Sequence, residues 1–218
     1  MQVVALIISM LALATSLATA WLTLLRRGTV RMTHPSIIFF GPDSGPPSHR
    51  KPKVYLRTLL FCNAKKGRVI ESMHVSLQRN ESRQNFSVWV NGDDRLNRGS
   101  GMFVGDNGVV ANHHFLTPRD DNSFRFMEGT YRIEIFAKLV DDKHNILLFV
   151  HDLVIDSAGG KALQDVETGI YFDWGPDAGR YISHVERKSP RSEPWDLLEK
   201  LIPTRDPSTD IRQGEQQS

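Results

Sequence analysis

The chain opens on an apolar run that predicts one membrane-spanning helix. Residues 3–25 contain no charged side chain. At about 1.5 Å of rise per residue, a helix over this run matches a hydrocarbon core about 30 Å thick. We therefore expect a transmembrane anchor over residues 1–27. The side chains that flank its membrane span are Trp21, Arg26, Arg27 and Arg31.

Further along the chain, the pattern changes to short β-rich runs separated by turns. Residues 54–62, 69–78 and 86–90 are rich in β-branched and aromatic side chains, and 86–90 alternates apolar with polar positions. At this spacing the segment 53–187 holds about seven or eight strands. The pattern therefore predicts a mainly β domain, an antiparallel β-sandwich.

Two hairpins are predicted from their turns. An Asn-Gly pair at 107–108 separates the runs 102–104 and 109–111, and Asn-Gly favours the primed turns of tight hairpins. A polar stretch separates a second pair of runs, at 131–140 and 146–155.

Gly129 and Tyr131 resemble the Gly-x-Tyr start of a late strand in immunoglobulin-like sandwiches. In that fold the glycine lets the chain turn, and the tyrosine hydroxyl bonds back to the backbone at the corner. The resemblance implies an immunoglobulin-like fold and no function.

The arginines beside the apolar run also predict an orientation. Lysine and arginine near a span tend to stay on the cytoplasmic side, and here they all follow the span. This favours a single-pass protein of the inner or plasma membrane with a cytoplasmic C-terminal domain. The alternative is a signal sequence cleaved after Ala20, because residues 18–20 are small enough for signal peptidase. After cleavage, or with a reversed anchor, the domain would be periplasmic or secreted.

Basic charge is concentrated next to the apolar run. Residues 26–53 have a net charge of +5, whereas 54–187 has −2 and 188–218 has −1. The basic composition, together with many Pro and Gly residues, predicts a linker over 28–52 that lies near anionic headgroups and holds a possible short strand at 36–40. A nucleic-acid-binding protein would carry its basic side chains on the folded domain, so no nucleic-acid partner is expected.

The densest polar group lies at residues 112–121. His113, His114 and Asp120 supply imidazoles and a carboxylate, which can ligate metals or act as acid and base. Adjacent strand residues point to opposite faces, so the two histidines cannot hold one ion. We therefore expect packed histidines, and no catalytic, metal or cofactor-binding residue. Gly108 leads into a β-rich run rather than a helix, which argues against nucleotide binding.

An aromatic segment at 171–181 is the candidate recognition loop. Its rings supply contact area, and its charges could orient a polar ligand or a protein partner. The simpler interpretation is that the rings cover an open edge of the sandwich. The candidate residues are Tyr171, Phe172, Asp173, Trp174, Asp177, Arg180 and Tyr181.

The last segment, 188–218, predicts a short amphipathic helix followed by a polar tail. Trp195, Leu198 and Ile202 share one face of a helix over 192–202. A helix of this length is unstable alone, so we expect it to dock on the sandwich, the bilayer or a protein partner.

Four stretches, at 37–42, 54–60, 112–115 and 171–176, resemble uncharacterised bacterial proteins in which one N-terminal span precedes a β-rich domain. The resemblance implies no activity. The sequence therefore favours a membrane-tethered protein-interaction module that is not an enzyme. The alternative is an envelope-facing domain that binds a ligand or a polysaccharide through the 171–181 segment.

Overall fold

A computed structural model describes residues 2–25, 27–43, 50–92, 97–99, 101–118 and 124–187. The N-terminal helix, α1 (Gln2–Ala20), continues into a π-helical turn at Trp21–Leu25. None of its residues is buried against the rest of the described chain. It is long and apolar enough to cross a membrane, and a signal sequence shares both properties. The predicted helix 192–202 lies outside the described residues.

The described residues contain thirteen strands, more than the seven or eight that the sequence predicts. Several of the additional strands are only two to four residues long. The elements that follow α1 are β1 (Val30–Met32), β2 (Ile37–Pro42), β3 (Pro52–Cys62), β4 (Arg68–Arg79), β5 (Ser82–Phe86), β6 (Val88–Asn91), β7 (Asn97–Arg98), β8 (Met102–Val104), β9 (Val109–Leu116), β10 (Gly129–Leu139), β11 (Ile146–Ile155), α2 (Ser157–Ala162), β12 (Gly169–Gly175) and β13 (Arg180–Glu186).

These strands form two antiparallel sheets. The first sheet has the order β13-β12-β2-β3-β9-β6-β7, and β1 pairs with the C-terminal part of β3. The second sheet has the order β11-β10-β4-β5, and β8 pairs with the N-terminal part of β4. The predicted mainly β, antiparallel fold is thus confirmed.

Both sheets contribute to one hydrophobic core. Phe40 and Leu56 come from the first sheet, and Ile133 and Ile135 come from the second; all four are fully buried. The alternation of buried and more exposed positions along β10 matches the period of two that a strand gives to a half-buried sheet. Burying each such side chain contributes about 1.5–3 kcal/mol.

The segment predicted as a linker over 28–52 is largely part of this fold. The possible strand at 36–40 forms β2, which lies between β12 and β3 in the first sheet. Ile38 and Phe40 are buried in the core. The folded domain therefore begins near residue 28, which corrects the predicted start at residue 53. Proline and glycine are typical of linkers, but Gly41, Pro42 and Pro52 lie within β2 and β3.

The two predicted hairpins have different outcomes. β10 and β11 pair along most of their length, as predicted. The prediction that 102–104 and 109–111 form a hairpin is wrong, because β8 pairs with β4 in the second sheet while β9 pairs with β3 in the first. The turn between them closes with Gly108 N–H donating to the Gly105 carbonyl at 3.3 Å. Of the turn residues 106–108, Gly108 has positive φ, whereas a primed hairpin turn needs positive φ at its central residues.

Tyr131 makes the corner contacts that the Gly-x-Tyr pattern predicts. Its hydroxyl accepts from the Met127 N–H at 2.9 Å and donates to the Met127 carbonyl at 3.0 Å. Its ring is almost fully buried. Gly129 has φ +134, which a side chain would strain. The corner therefore fixes residues 127–131 at the start of β10.

The strands of the domain end at two opposite sides, and one of these sides is next to the residues that follow α1. We call the turns at 63–67, 105–108 and 140–145 the proximal end, because Gly28 packs against Cys62 and Ala64 there. The opposite end of the strands is the distal end. β3 is eleven residues long and runs between them, which corresponds to about 35 Å.

Candidate functional site

A cleft of about 900 Å³ opens at the distal end. It lies between the β2–β3 connection, the segment leading into β10, and α2 with the turn that follows it. Its walls combine apolar and charged side chains. The apolar members are Phe124, Phe126, Met127, Leu163 and Val166, and the charged members are Arg50, Lys51, Arg125, Glu128, Lys161 and Asp165.

Two sequence features place α2 against the cleft wall formed by residues 124–128. Asp156 caps the helix, its carboxylate accepting from the Gly159 N–H at 2.7 Å. Gly160 packs so closely on Glu128 that an added Cβ would lie 2.8 Å from the Glu128 backbone nitrogen. A glycine at this position therefore lets α2 approach residues 124–128, and the cleft lies beside that contact.

The basic side chains of the cleft differ in their hydrogen bonds and ion pairs. Arg50 donates to the Val166 carbonyl at 3.2 Å and pairs with Glu167 at 3.3 Å, so it joins two walls. Lys51 donates to the Pro118 carbonyl at 3.2 Å. Lys161 is exposed, and its ammonium makes no ion pair within the described part of the chain. It is thus a cation that an incoming group could approach.

The predicted recognition loop is mostly a hairpin of β12 and β13 that ends the first sheet. The strand period distributes its side chains over two faces. Phe172 is buried in the core, while Trp174 and Tyr181 are half-buried beside it. Tyr171 and Asp173 point to the opposite face, and Asp177 and Arg180 are exposed at the turn. The structure therefore does not bring the seven candidates to one surface.

Trp174 and Tyr181 have intramolecular partners. The Trp174 ring stacks on His34 with 4.4 Å between ring centroids. The Tyr181 hydroxyl donates to the Pro35 carbonyl at 2.8 Å, and burial raises the pKa of this phenol. These contacts support the simpler interpretation that the rings cover the edge of the fold.

His113 and His114 lie on opposite faces of β9, as predicted. His113 is fully buried in the interior, where its Nδ1 accepts from Trp89 Nε1–H at 3.1 Å. Its Nε2 has no hydrogen-bond partner among the described residues. Burial lowers the pKa of His113 to about 4, so the ring is neutral near pH 7. Asp120 lies outside the described residues.

His114 lies on the outer face of the first sheet, beside other polar and aromatic side chains. Its ring lies 4.9 Å from that of Tyr55, whose hydroxyl donates to Asn112 Oδ1 at 2.9 Å. Burial lowers the pKa of His114 to about 3, and the nearby charge of Lys53 adds to the effect. Burial raises the pKa of Tyr171 on the same face.

Lys53 also lies on this face. Its burial is unexpected from the sequence. Its side chain is only 3% exposed, and its ammonium lies 5.4 Å from the centre of the Phe39 ring. Burial lowers the pKa of Lys53 to about 8, against the opposing charge of Asp43. Within the described ranges, no three His, Cys, Asp or Glu side chains are grouped in a way that could hold a metal ion.

The residues predicted to flank a membrane span are also separated. Trp21 is exposed at the end of α1, and Arg27 follows it as an exposed residue. Arg31 lies in β1, opposite Phe61 of β3, and so belongs to the domain. Arg26 is outside the described residues.

Comparison with protein-family models, curated proteins and solved structures finds no match for this chain. A functional assignment therefore depends on the geometry of the described residues.

Proposed function

We propose that this protein is a membrane-tethered interaction module, an immunoglobulin-like β-sandwich held at the bilayer by α1. The observation that carries the proposal is the position of the cleft, at the end of the sheets opposite to the helix. A tethered domain that binds a partner needs its binding surface on the side away from the membrane. The Tyr131 corner supports the immunoglobulin-like description.

The lining of the cleft favours a partner of acidic and partly apolar character. Among the described lining residues, four basic side chains face two acidic ones, and Arg50 is already paired with Glu167, which leaves an excess of one positive charge. Met127 is 48% exposed and Val166 is 64% exposed, so apolar contact area is available beside the cations. An acidic protein segment carrying one or two large apolar side chains fits this combination.

Photo-crosslinking in the intact membrane tests this use of the cleft. A crosslinking amino acid replaces Met127, and the matched control carries it at Val154, an exposed residue of β11. We expect a crosslinked protein partner at 127 and not at 154. Lys161→Glu should lower the yield about tenfold by removing a charge-assisted contact, whereas Lys161→Arg should preserve it. Equal crosslinking at both positions, or no effect of Lys161→Glu, would contradict the proposal.

Membrane attachment needs its own test. Leu11→Arg with Leu13→Arg places two charges in the centre of α1, each costing about 2.5–3.5 kcal/mol in a bilayer. The double variant should leave the membrane fraction, while Leu11→Val with Leu13→Val should remain. A parent chain that alkaline carbonate extracts from membranes would exclude a spanning anchor and favour a cleaved signal.

The cytoplasmic orientation follows from the arginines after the span and is part of the proposal. A cysteine introduced by Ser218→Cys reports it, because Cys62 is buried and should give little background. In intact cells a membrane-impermeant maleimide should leave residue 218 unlabelled. Labelling would instead favour the envelope-facing alternative, in which the domain binds a ligand or a polysaccharide.

A further inference from the structure

A very short connection joins the apolar helix to the folded domain. The π-helical turn ends at Leu25, and Gly28 is already packed in the domain. A Cβ on Gly28 would lie 2.5 Å from Cys62 Sγ, and its carbonyl accepts from Arg68 at 3.2 Å. In the sequence, only two residues therefore separate the end of the helical segment from the first packed residue of the domain.

The length of this tether limits how far the domain can be from the bilayer. Three residue steps, from residue 25 to residue 28, span at most about 11 Å when fully extended. This is close to the Debye length of about 8 Å at physiological ionic strength. If α1 spans the membrane, the proximal end must therefore lie within electrostatic reach of the lipid headgroups.

The proximal end also carries an exposed aromatic side chain. Phe103 is 60% exposed and lies over Gly67, where an added Cβ would be 2.5 Å from the ring. Val69 is directly opposite Phe103 in the β4–β8 ladder and is 39% exposed. The Val140 N–H donates to the Val69 carbonyl at 3.0 Å, and Val140 is 41% exposed. These three side chains form an apolar patch next to the turns.

Two exposed lysines extend this patch. Lys65 and Lys66 lie in the β3–β4 turn beside Gly67, and neither makes an ion pair within the described ranges. The acids of the other turns are Asp106, Asp141 and Asp142. Asp142 is paired with Arg68 at 2.7 Å, which leaves two exposed carboxylates against Lys65, Lys66, Lys143 and Arg27. The charged groups of this end are therefore predominantly basic.

We infer that the proximal end docks on anionic lipid headgroups, with Phe103 entering the interface and Lys65 and Lys66 contacting lipid phosphates. The inference rests on the proposed membrane anchoring. Aromatic rings favour the membrane interface, and basic residues near an anionic surface each contribute to binding. Docking would hold the sheets upright on the bilayer and present the distal cleft about 35 Å above it.

Fluorescence quenching by spin-labelled lipids tests the docking in the full-length protein. Asn107→Cys carries the fluorophore at the proximal end, and Gln164→Cys carries it at the distal end as the matched control. Both residues are exposed. The protein is reconstituted in vesicles of phosphatidylcholine, with or without phosphatidylserine. We expect quenching at 107 and not at 164, and stronger quenching at 107 with phosphatidylserine.

Removal of the lysines separates docking from mere tethering. In phosphatidylserine vesicles, Lys65→Ala with Lys66→Ala should lower the ratio of docked to undocked protein about fivefold per lysine. Phe103→Ser should lower quenching in both lipid compositions. If quenching at residue 107 is the same with and without phosphatidylserine and in the lysine variants, the docking inference is wrong, while the anchor still stands. A protein that does not float with vesicles would overturn the anchor and the docking together.

Discussion

The two ends of the domain are built on the same strands but differ in the length of their connections. At the proximal end, three connections of four to six residues close the sheets tightly. At the distal end, the connections after β2, β9 and β11 are nine to thirteen residues long, and the cleft lies among them. Binding residues are commonly held on long loops by a rigid scaffold. This difference fits the proposal that the proximal end faces the membrane and the distal end binds a partner.

The largest expected effect concerns His113, which is buried in β9 between the two ends. The folded-state pKa of about 4 lies below the unfolded value near 6.5, so the unfolded chain binds more protons in between. Stability should therefore fall as the pH drops from 6.5 to 4, by about 3 kcal/mol in total from this residue.

His113→Gln tests this origin, because it keeps an acceptor for the Trp89 N–H without a titrating group. Chemical unfolding across the pH range should show a slope lower by about 1.4 kcal/mol per pH unit in the variant. The slope is compared rather than the absolute stability, so any packing cost of glutamine cancels. An unchanged slope would show that His113 is not a source of acid sensitivity.

A smaller effect is expected when the distal end loses its corner hydroxyl. Tyr131→Phe removes both bonds to the Met127 backbone, which should cost about 2 kcal/mol. Because residues 124–128 line the cleft, their amide hydrogen exchange should also become faster. Tyr181→Phe is the matched control, since it removes a hydroxyl bond to Pro35. If Tyr131→Phe and Tyr181→Phe change the amide hydrogen exchange of residues 124–128 equally, the Tyr131 corner does not specifically stabilise this wall of the cleft.

The smallest effect distinguishes crowding at the proximal end from backbone conformation alone. Gly67 has φ +65 and would place a Cβ 2.5 Å from the Phe103 ring, whereas Gly179 has φ +62 with nothing within 4 Å. Both alanine variants pay for the left-handed backbone, about 1–2 kcal/mol. Gly67→Ala should be less stable by about 1 kcal/mol more in thermal or urea unfolding, because the added Cβ would crowd both the Phe103 ring and the Val104 carbonyl oxygen, 2.8 Å away. Equal losses would mean that neither Phe103 nor the Val104 carbonyl crowds residue 67.

The sequence predicts those parts of the fold that depend on local pattern. β10 and β11 alternate over ten or more residues, and a polar turn joins them, so their pairing follows from the pattern alone. Tyr131 is similar, because its hydroxyl bonds only four residues back. The prediction that β8 and β9 form a hairpin is wrong for a physical reason. An Asn-Gly turn specifies a local reversal, but the sheet that each strand joins depends on long-range pairing with β4 and β3.

The distal cleft could not be predicted in the same way. Its described lining comes from residues 41–42, 50–52, 124–128 and 157–168, which only the topology of the two sheets brings together. Asp156 as a helix cap is a local signal for α2, but it does not say what α2 packs against. Lys53 gives no signal either, because a lysine at the start of a strand is normally exposed, whereas here its side chain is buried beside the Phe39 ring.

If α1 spans the membrane, the short separation between Leu25 and Gly28 would also hold the cleft at one height above the bilayer. A domain that can move at most about 11 Å from the end of its helix would sample a thin layer parallel to the bilayer. Partners confined to the same membrane, with an acidic segment at a matching height, would meet the cleft at high effective concentration. Soluble competitors would gain nothing from the confinement. Lengthening the segment at 26–27 would dilute the cleft into a larger volume without altering any of its contacts.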